Sequence, residues 1–273
     1  MSQIVSFNSK GARMNPYNPP ESAKKLSAAA LKRLALFSML CSHVAEALIK
    51  YPCLAAAKAG GSDASPAAIA SALAYSFTYP PHSAPETLYL ILDALGRMAF
   101  PIFAFCLAES VAHTKSRTRL CLRLLAFAFI SEVPFDLALF GTPFSFERQN
   151  IFFTLFLGVA AAWSFDALRG KWLPQLAAFA CILTAAHFSN CDYGIQGVLL
   201  IFAFWLLRSF RVPQLIAGFV IMCTAFPFVA LGLVPLYFYS GEKGRSAGKY
   251  FFYAFYPAHL LLLWGLRLAI FKV

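Results

Sequence analysis

Two histidines stand inside long apolar stretches, His43 in LKRLALFSMLCSHVAEAL and His259 in KYFFYAFYPAHLLLL. An imidazole titrates near neutrality and is suited to taking a proton from an amine or hydroxyl nucleophile. Carboxylates that could orient it are present. Glu46 follows His43 by three residues, on the same helical face, and Glu132 and Asp136 flank Pro134 in FISEVPFDLAL. Arg97 follows Asp93 by four residues, so the two can pair, or Arg97 can hold a developing negative charge. A further acid, Glu109, lies near the end of the same run. A charged group at the centre of a bilayer costs about 2.5–3.5 kcal/mol on the insertion scale and usually faces a bundle interior or a wet cavity. Each of these residues therefore needs a reason. Ionic glue between helices is one, and chemistry is the other.

A basic cluster is the second feature. Lys32, Arg33, Arg117, Arg119 and Arg123 belong to the ends of the first three apolar runs. Singly they read as anchors that hold loops in the cytoplasm. Together they could bind the phosphates of a nucleotide-like donor through charge-assisted bonds. At 1.5 Å rise per residue, His43 lies roughly 15 Å beyond Arg33. The pattern predicts an anionic donor arriving from the cytoplasm, with a base about halfway across. No P-loop, G-x-S-x-G or H-E-x-x-H pattern is expected to offer competing chemistry.

The elements that must position these groups are membrane helices. The chain has 273 residues, 60% of them hydrophobic, and only 13% are charged. A soluble chain carries about 25% charge. Apolar runs recur at approximately 28–50, 87–112, 119–140, 150–167, 172–188, 193–210, 213–239 and 249–271, near the roughly 20 residues that a spanning helix needs. They are apolar on every face, unlike the alternating strands of a barrel. The predicted fold is all-α, a polytopic transmembrane bundle of about eight spans. The run 213–239 contains Pro227 and Pro235 and could be doubled, which would give nine.

Residues 1–27 read as a disordered cytoplasmic tail and 28–273 as one membrane domain. The first apolar run starts too late and is too long for a signal peptide. Lys24, Lys25, Lys32 and Arg33, then Lys115, Arg117 and Arg119, then Arg169 and Lys171, then Arg208 and Arg211 fall on alternate loops and place the N-terminus in the cytoplasm. One loop disagrees: Glu242, Lys243, Arg245 and Lys249 fall outside under an eight-span count and inside under a nine-span count. The loop 51–86 is rich in Ala, Ser and Pro, with Tyr75, Phe77 and Tyr79 placed to sit at the interface. The net charge of +11 is topological on this reading, so nucleic acid is not an expected partner. The seven cysteines show neither C-x-x-C nor zinc spacing and read as small buried hydrophobes, so no metal is expected.

The same residues carry a family resemblance. LKRLALFSMLCSHVAEAL resembles the opening helix of the TraX family. LDALGRMAFPIFAFCLAES, FISEVPFDLAL, NIFFTLFLG, DYGIQGVLL and KYFFYAFYPAHLLLL resemble five further stretches in the same order, from Leu31 to Leu263. The resemblance implies a bacterial multi-pass protein of the cytoplasmic membrane that transfers an acetyl group from acetyl-CoA to the N-terminus of a pilin. It also implies kinship with membrane acyltransferases that act on sugars, which carry a basic residue about ten positions before a first-helix histidine. Lys32 or Arg33 before His43 is similar. By motif the resemblance reaches His43, Arg97, Asp136, Asp192 and His259. Where the family commonly has an acidic residue directly before the first-helix histidine, this chain has Ser42, and Glu46 is the local substitute.

The leading expectation is thus a membrane acyltransferase. Acetyl-CoA is the donor, held by Lys32, Arg33, Arg117, Arg119 and Arg123. His43 is base or transient acyl carrier. Arg97, His259, Glu46 and Asp136 complete the site, and the acceptor is a protein, peptide or glycan. A transporter or flippase, and a non-catalytic assembly factor for a surface appendage, are the alternatives.

Overall fold

The computed structural model describes residues 19–20, 23, 25–52, 84–223, 227–245, 248 and 250–271. Most of the expected tail and most of the 51–86 loop, with Tyr75, Phe77 and Tyr79, lie outside the described residues. Among those described there is no strand, only two isolated bridges.

Helix α1 (Ala28–Val44) starts at Ser27, whose hydroxyl accepts from the Ala30 N–H, and runs on as a π-helical segment, Ala45–Lys50. Such a π segment is uncommon and often marks a functional site. Here it begins two residues after His43. The expected second span is two helices, α2 (Ala84–Arg97) and α3 (Ala99–His113), that meet at Met98. Pro101 accounts for the interruption. It has no N–H to give to the Arg97 carbonyl, and its ring crowds that carbonyl. The break leaves Arg97 at the end of a helix partway through the span.

Helix α4 (Arg117–Leu139) is capped by Ser116 and passes through Pro134 without ending. Helix α5 (Ile151–Ala167) is capped by Asn150, and α6 (Trp172–Phe188), α7 (Gly194–Leu206) and α8 (Arg211–Cys223) follow. A 3-10 segment, Pro227–Leu233, leads into the short α9 (Val234–Tyr237), and α10 (Phe251–Phe271) closes the chain. Among the described residues, three helical stretches are long and apolar enough to cross a membrane by themselves: Ala28–Lys50, Thr87–His113 and Phe251–Phe271. Helix α4 has the length but carries Arg117, Arg119, Arg123, Glu132 and Asp136. Helices α5 to α8 are apolar but shorter.

α7 packs among α3, α5, α6 and α8, while α1 packs on α2, α3 and α10, and α4 on α5 and α10. The large side chains sealed inside include Leu31, Ile102, Phe105, Phe135 and Phe204. Outward residues such as Phe129, Ile130, Leu176, Phe188 and Leu262 are apolar and exposed. An apolar exterior of this kind suits lipid rather than water. The chain is a helical membrane protein.

The expected span 213–239 is not one continuous helix among the described residues but α8, a 3-10 segment and α9. Arg211 stacks on Tyr239 at 5.2 Å, so both ends of the stretch meet. They meet beside the start of α1. The Lys25 and Leu26 N–H groups donate to the Phe238 carbonyl, and Ser240 N–H donates to Leu26. Between its ends the 3-10 segment comes so close to the α2–α3 break that a Cβ at Gly232 would collide with Met98 and Pro101. The chain can double back in so few residues because α8 is short and the return includes a 3-10 segment, with a longer rise per residue.

The carbonyls of Glu242 and Lys243 accept from Ala28 and Ala29, which puts this basic loop on the face where α1 begins. Arg117 pairs with Asp166 at 2.6 Å, and Arg169 reaches the same carboxylate. Lys32 lies over Phe252 and Arg123 over Tyr253. The basic loops therefore share one face. On the opposite face, Arg267 stacks on Tyr51, and Asn190 donates to the Glu147 carbonyl.

Candidate functional site

His43 and His259 are brought together. His43 Nδ1 lies 2.7 Å from His259 Nε2. His259 Nδ1 lies 2.7 Å from the Phe255 carbonyl, four residues back on α10. The network assigns the tautomers. A carbonyl only accepts, so His259 Nδ1 carries a hydrogen. Nε2 of a neutral His259 is then the acceptor, and His43 Nδ1 donates to it. That leaves Nε2 of a neutral His43 with its lone pair. Phe255 stacks on His259 at 4.9 Å, and the Tyr256 ring stands edge-on to His43 at 5.6 Å. His259 is only 5% exposed, so the pair cannot be bathed by bulk solvent from that side.

Two cavities meet at His43. One, of about 190 Å³, is mostly apolar and runs from Lys32, Phe252 and Tyr253 past Phe103 and Leu107 to His43. The other, of about 160 Å³, is polar and is lined by Glu46, Asp93, Arg97, Arg148 and Phe135. Ser42, His43, Gly96, Asp192 and Tyr193 belong to the walls of both. The first leads toward the basic face, where α1 begins, and the second lies on the side of its π-helical end.

Tyr193 is held in the left-handed region at φ 61° and stacks flat on Phe100 at 3.9 Å. A non-glycine residue rarely adopts this backbone, and such strain collects at functional sites. Asp192 is fixed through its carbonyl, which accepts from the Thr154 hydroxyl. Burial pushes the Asp192 carboxyl above its ordinary range, against the pull of Arg148 and Arg97. Burial works against the charge of Arg148, but Asp192 and Glu46 outweigh it and hold that guanidinium above its ordinary value.

A model of the TraX protein family matches residues 27–267. The chain belongs to the TraX family. It is also similar to a curated protein described as "Probable fimbrial assembly protein FimC, serogroup H1" from Dichelobacter nodosus. The two are 28% identical over 203 residues, which is 64% of this chain and 82% of the relative. No solved structure matches.

The TraX motifs divide by what they do here. GRMAFP supplies the α2–α3 break, the Arg97–Asp93 ion pair at 2.7 Å, and Gly96. FYAFYPAHL supplies Tyr256, Phe255 and His259. Glu46 does not reach His43 but takes Lys50 at 2.9 Å and the Tyr89 hydroxyl at 3.2 Å, although it lines the same chamber. The side chain that pairs with His43 among the described residues is His259, from α10, and not a carboxylate. Asp136 accepts from the Ser145 N–H at 2.8 Å, and Glu132 accepts from Asn150. Both hold the loop 141–150 instead of a histidine.

Of the basic cluster, Lys32 and Arg123 flank the aromatic mouth of the apolar cavity, and the Arg123 Nε is buried without a partner. Arg117 is committed to Asp166, and Arg33 and Arg119 are exposed. The pentapeptide at 244–248 spells G-x-S-x-G. It follows a helix rather than a strand, the wrong context for a nucleophile elbow, and Ser246 lies outside the described residues. Arg148, Tyr193 and Tyr256 carry no sequence signal of their own as site residues. The polar loop 141–150 disguises Arg148, because an arginine there needs no explanation.

Gly96 makes the junction possible. A Cβ at this position would overlap the Ser42 side chain and its backbone N and Cα. Gly96→Ala is expected to destabilise the TraX fold by about 1–3 kcal/mol through overpacking and to displace His43 with its neighbour. Thermal melting in detergent checks the first effect. Because the overlap includes backbone atoms, Ser42→Gly in the same chain should restore only part of the loss, and full restoration would refute the packing argument.

Proposed function

We propose that the chain is an acyltransferase of the bacterial cytoplasmic membrane. It moves an acetyl group from acetyl-CoA, bound from the cytoplasm, to an amine or hydroxyl acceptor bound on the other side. The observation that carries this reading is the position of His43, with an unprotonated Nε2, where an apolar passage from the basic face meets a polar chamber. The concentration of Lys and Arg on the face where α1 begins supports a cytoplasmic N-terminus. Lys32 and Arg123 at the mouth suit the phosphates of the coenzyme, and the unpartnered Arg123 Nε is a donor in want of an acceptor. From Lys32 to His43 is eleven residues of helix, roughly 16 Å, a distance that the pantetheine arm of a coenzyme A thioester can bridge.

The step balances without an added reactant. A neutral amine or a hydroxyl of the acceptor attacks the thioester carbonyl as His43 Nε2 takes its proton. The new C–N or C–O bond forms, the C–S bond breaks, and His43 returns the proton to the departing sulfur. His259 accepts from His43 Nδ1 and so fixes the ring and its tautomer, the part an aspartate plays in a hydrolase triad. Arg97, tied to Asp93, is placed to stabilise the tetrahedral oxyanion.

The test has two arms. Purified protein in nanodiscs should bind acetyl-CoA, and mass spectrometry of surface proteins and glycans should find an acetyl group that disappears when the protein is absent. No binding together with an unchanged acylation pattern would refute the reading. The name of the D. nodosus relative favours a second reading, an assembly factor for fimbriae without chemistry of its own. In that case substitutions at His43 would act only through folding and abundance.

A further inference from the structure

The polar chamber beyond His43 is built around a cation that the rest of the site does not use. Arg148 sits on the loop 141–150, and that loop is clamped along its length. Asp136 takes the Ser145 N–H. Asn150, fully buried, donates to the Ala128 carbonyl at 2.7 Å and to Glu132, while its own oxygen caps α5. Asn190 donates to the Glu147 carbonyl, and across the bridge to the α6–α7 turn the Gln149 N–H donates to the Asn190 carbonyl while the Gln149 carbonyl accepts from the Asp192 N–H. Buried Asp136 and Asn150, half-buried Glu132 and exposed Asn190 thus hold a loop whose inward product is one guanidinium.

That guanidinium is poorly satisfied. Its Nε is buried and has no hydrogen-bond partner. Its ion pair with Asp192 is long, at 3.9 Å, beyond hydrogen-bond distance. The other charges that line the chamber are matched more closely: Arg97 to Asp93 at 2.7 Å, and Glu46 to Lys50 at 2.9 Å. The Phe135 ring lies 5.6 Å from the Arg148 guanidinium carbon. A half-open arginine with a buried orphan donor, in a chamber that shares His43 with the apolar passage, is the arrangement that fork-like recognition of a carboxylate uses.

We propose that this chamber is the acceptor site and that Arg148 binds a carboxylate on the acceptor, setting it so that the nucleophile faces His43. The inference rests on the acyl-transfer reading for the word acceptor, but not for the binding itself. The ligand class is a small amine or hydroxyl compound, or the end of a larger one, that carries a carboxylate close to its nucleophile. Asp136, Glu132 and Asn150 are positioning residues for Arg148.

Calorimetry on the full chain in nanodiscs reads this without turnover. The probes are N-acetylalanine, with its carboxylate, and N-acetylalaninamide, which differs only there. The wild type should bind the carboxylate probe about 10- to 100-fold more tightly, the worth of a hydrogen bond to a charged group. Arg148→Gln should erase the preference, and Arg148→Lys should keep part of it. A melting temperature close to wild type shows that each variant is folded. Equal affinity of the wild type for both probes, or a preference that survives in Arg148→Gln, overturns the proposal. Acetyl-CoA binding is measured in the same samples. Its absence would count against the acyl-transfer reading alone.

Discussion

His43→Ala is expected to lower acetyl transfer by about 10²–10⁴-fold, the usual worth of a general base, with a melting temperature near that of the wild type. The reason for the large effect is that, among the described residues, only His43 lines both cavities and offers an imidazole lone pair. His259→Ala should cost less, because it removes the acceptor of the Nδ1 hydrogen and not the base. The loss should appear in kcat more than in KM. The double variant should be no worse than His43→Ala, because residues that act as a unit are not additive. Single-turnover transfer from labelled acetyl-CoA measures all three. Acid quenching during the reaction separates the two roles open to His43: acetyl recovered on the ring marks a carrier, and its absence in a productive turnover marks a base. A folded His43→Ala protein with undiminished transfer would remove His43 from the chemistry.

The largest effect on stability is expected at Arg267. Its side chain is 1% exposed, yet it has no carboxylate partner among the described residues. It donates to the carbonyls of Ala138 and Leu137 at 2.6 and 2.7 Å, and its guanidinium lies 3.6 Å from the centre of the Tyr51 ring. Those carbonyls belong to the last turn of α4, where the helix supplies no partner. Arg267→Ala would orphan two buried acceptors and leave a cavity, a loss of about 3–5 kcal/mol. The damage should spread. A Cβ at Gly141, which sits at φ 74°, would overlap the Tyr51 ring, so Tyr51 is also the buttress for the loop that carries Arg148. Arg267→Lys should recover only part, because one ammonium cannot fork to two carbonyls and stack as well. Unfolding in graded detergent checks the order. An alanine variant as stable as the wild type would show that the last turn of α4 finds its partners elsewhere.

What the sequence made legible follows the cost of polarity. His43, Arg97 and His259 can be picked out because an ionisable group in an apolar run must be explained, and the structure places His43 and Arg97 in the cavity walls and His259 against His43. Glu132 and Asp136 drew notice by the same logic, but their partners are backbone and amide groups of a loop that no pattern of spacing reveals. Arg148 was invisible for the opposite reason: it stands in a polar loop where arginine is ordinary. The pairing of His43 with His259 could not be read because Glu46, near in sequence, is turned to Lys50 and Tyr89. The hairpin over 211–239 was hidden by length alone, because a 3-10 return needs fewer residues than a second α-helical pass. Its basic loop nonetheless signals the return toward the start of α1, because an eight-span count puts Lys243 and Arg245 on the side away from the other basic loops.

The wall between the two cavities, made of Ser42, His43, Gly96, Asp192 and Tyr193, has a consequence for the economy of the envelope. On the acyl-transfer reading, the nucleotide, its phosphates and its sulfur all stay on the side where cells make and recycle them, and only a two-carbon fragment changes compartments. On that reading, a partition this thin would let metabolism inside the cell decorate molecules outside it without exporting a single coenzyme.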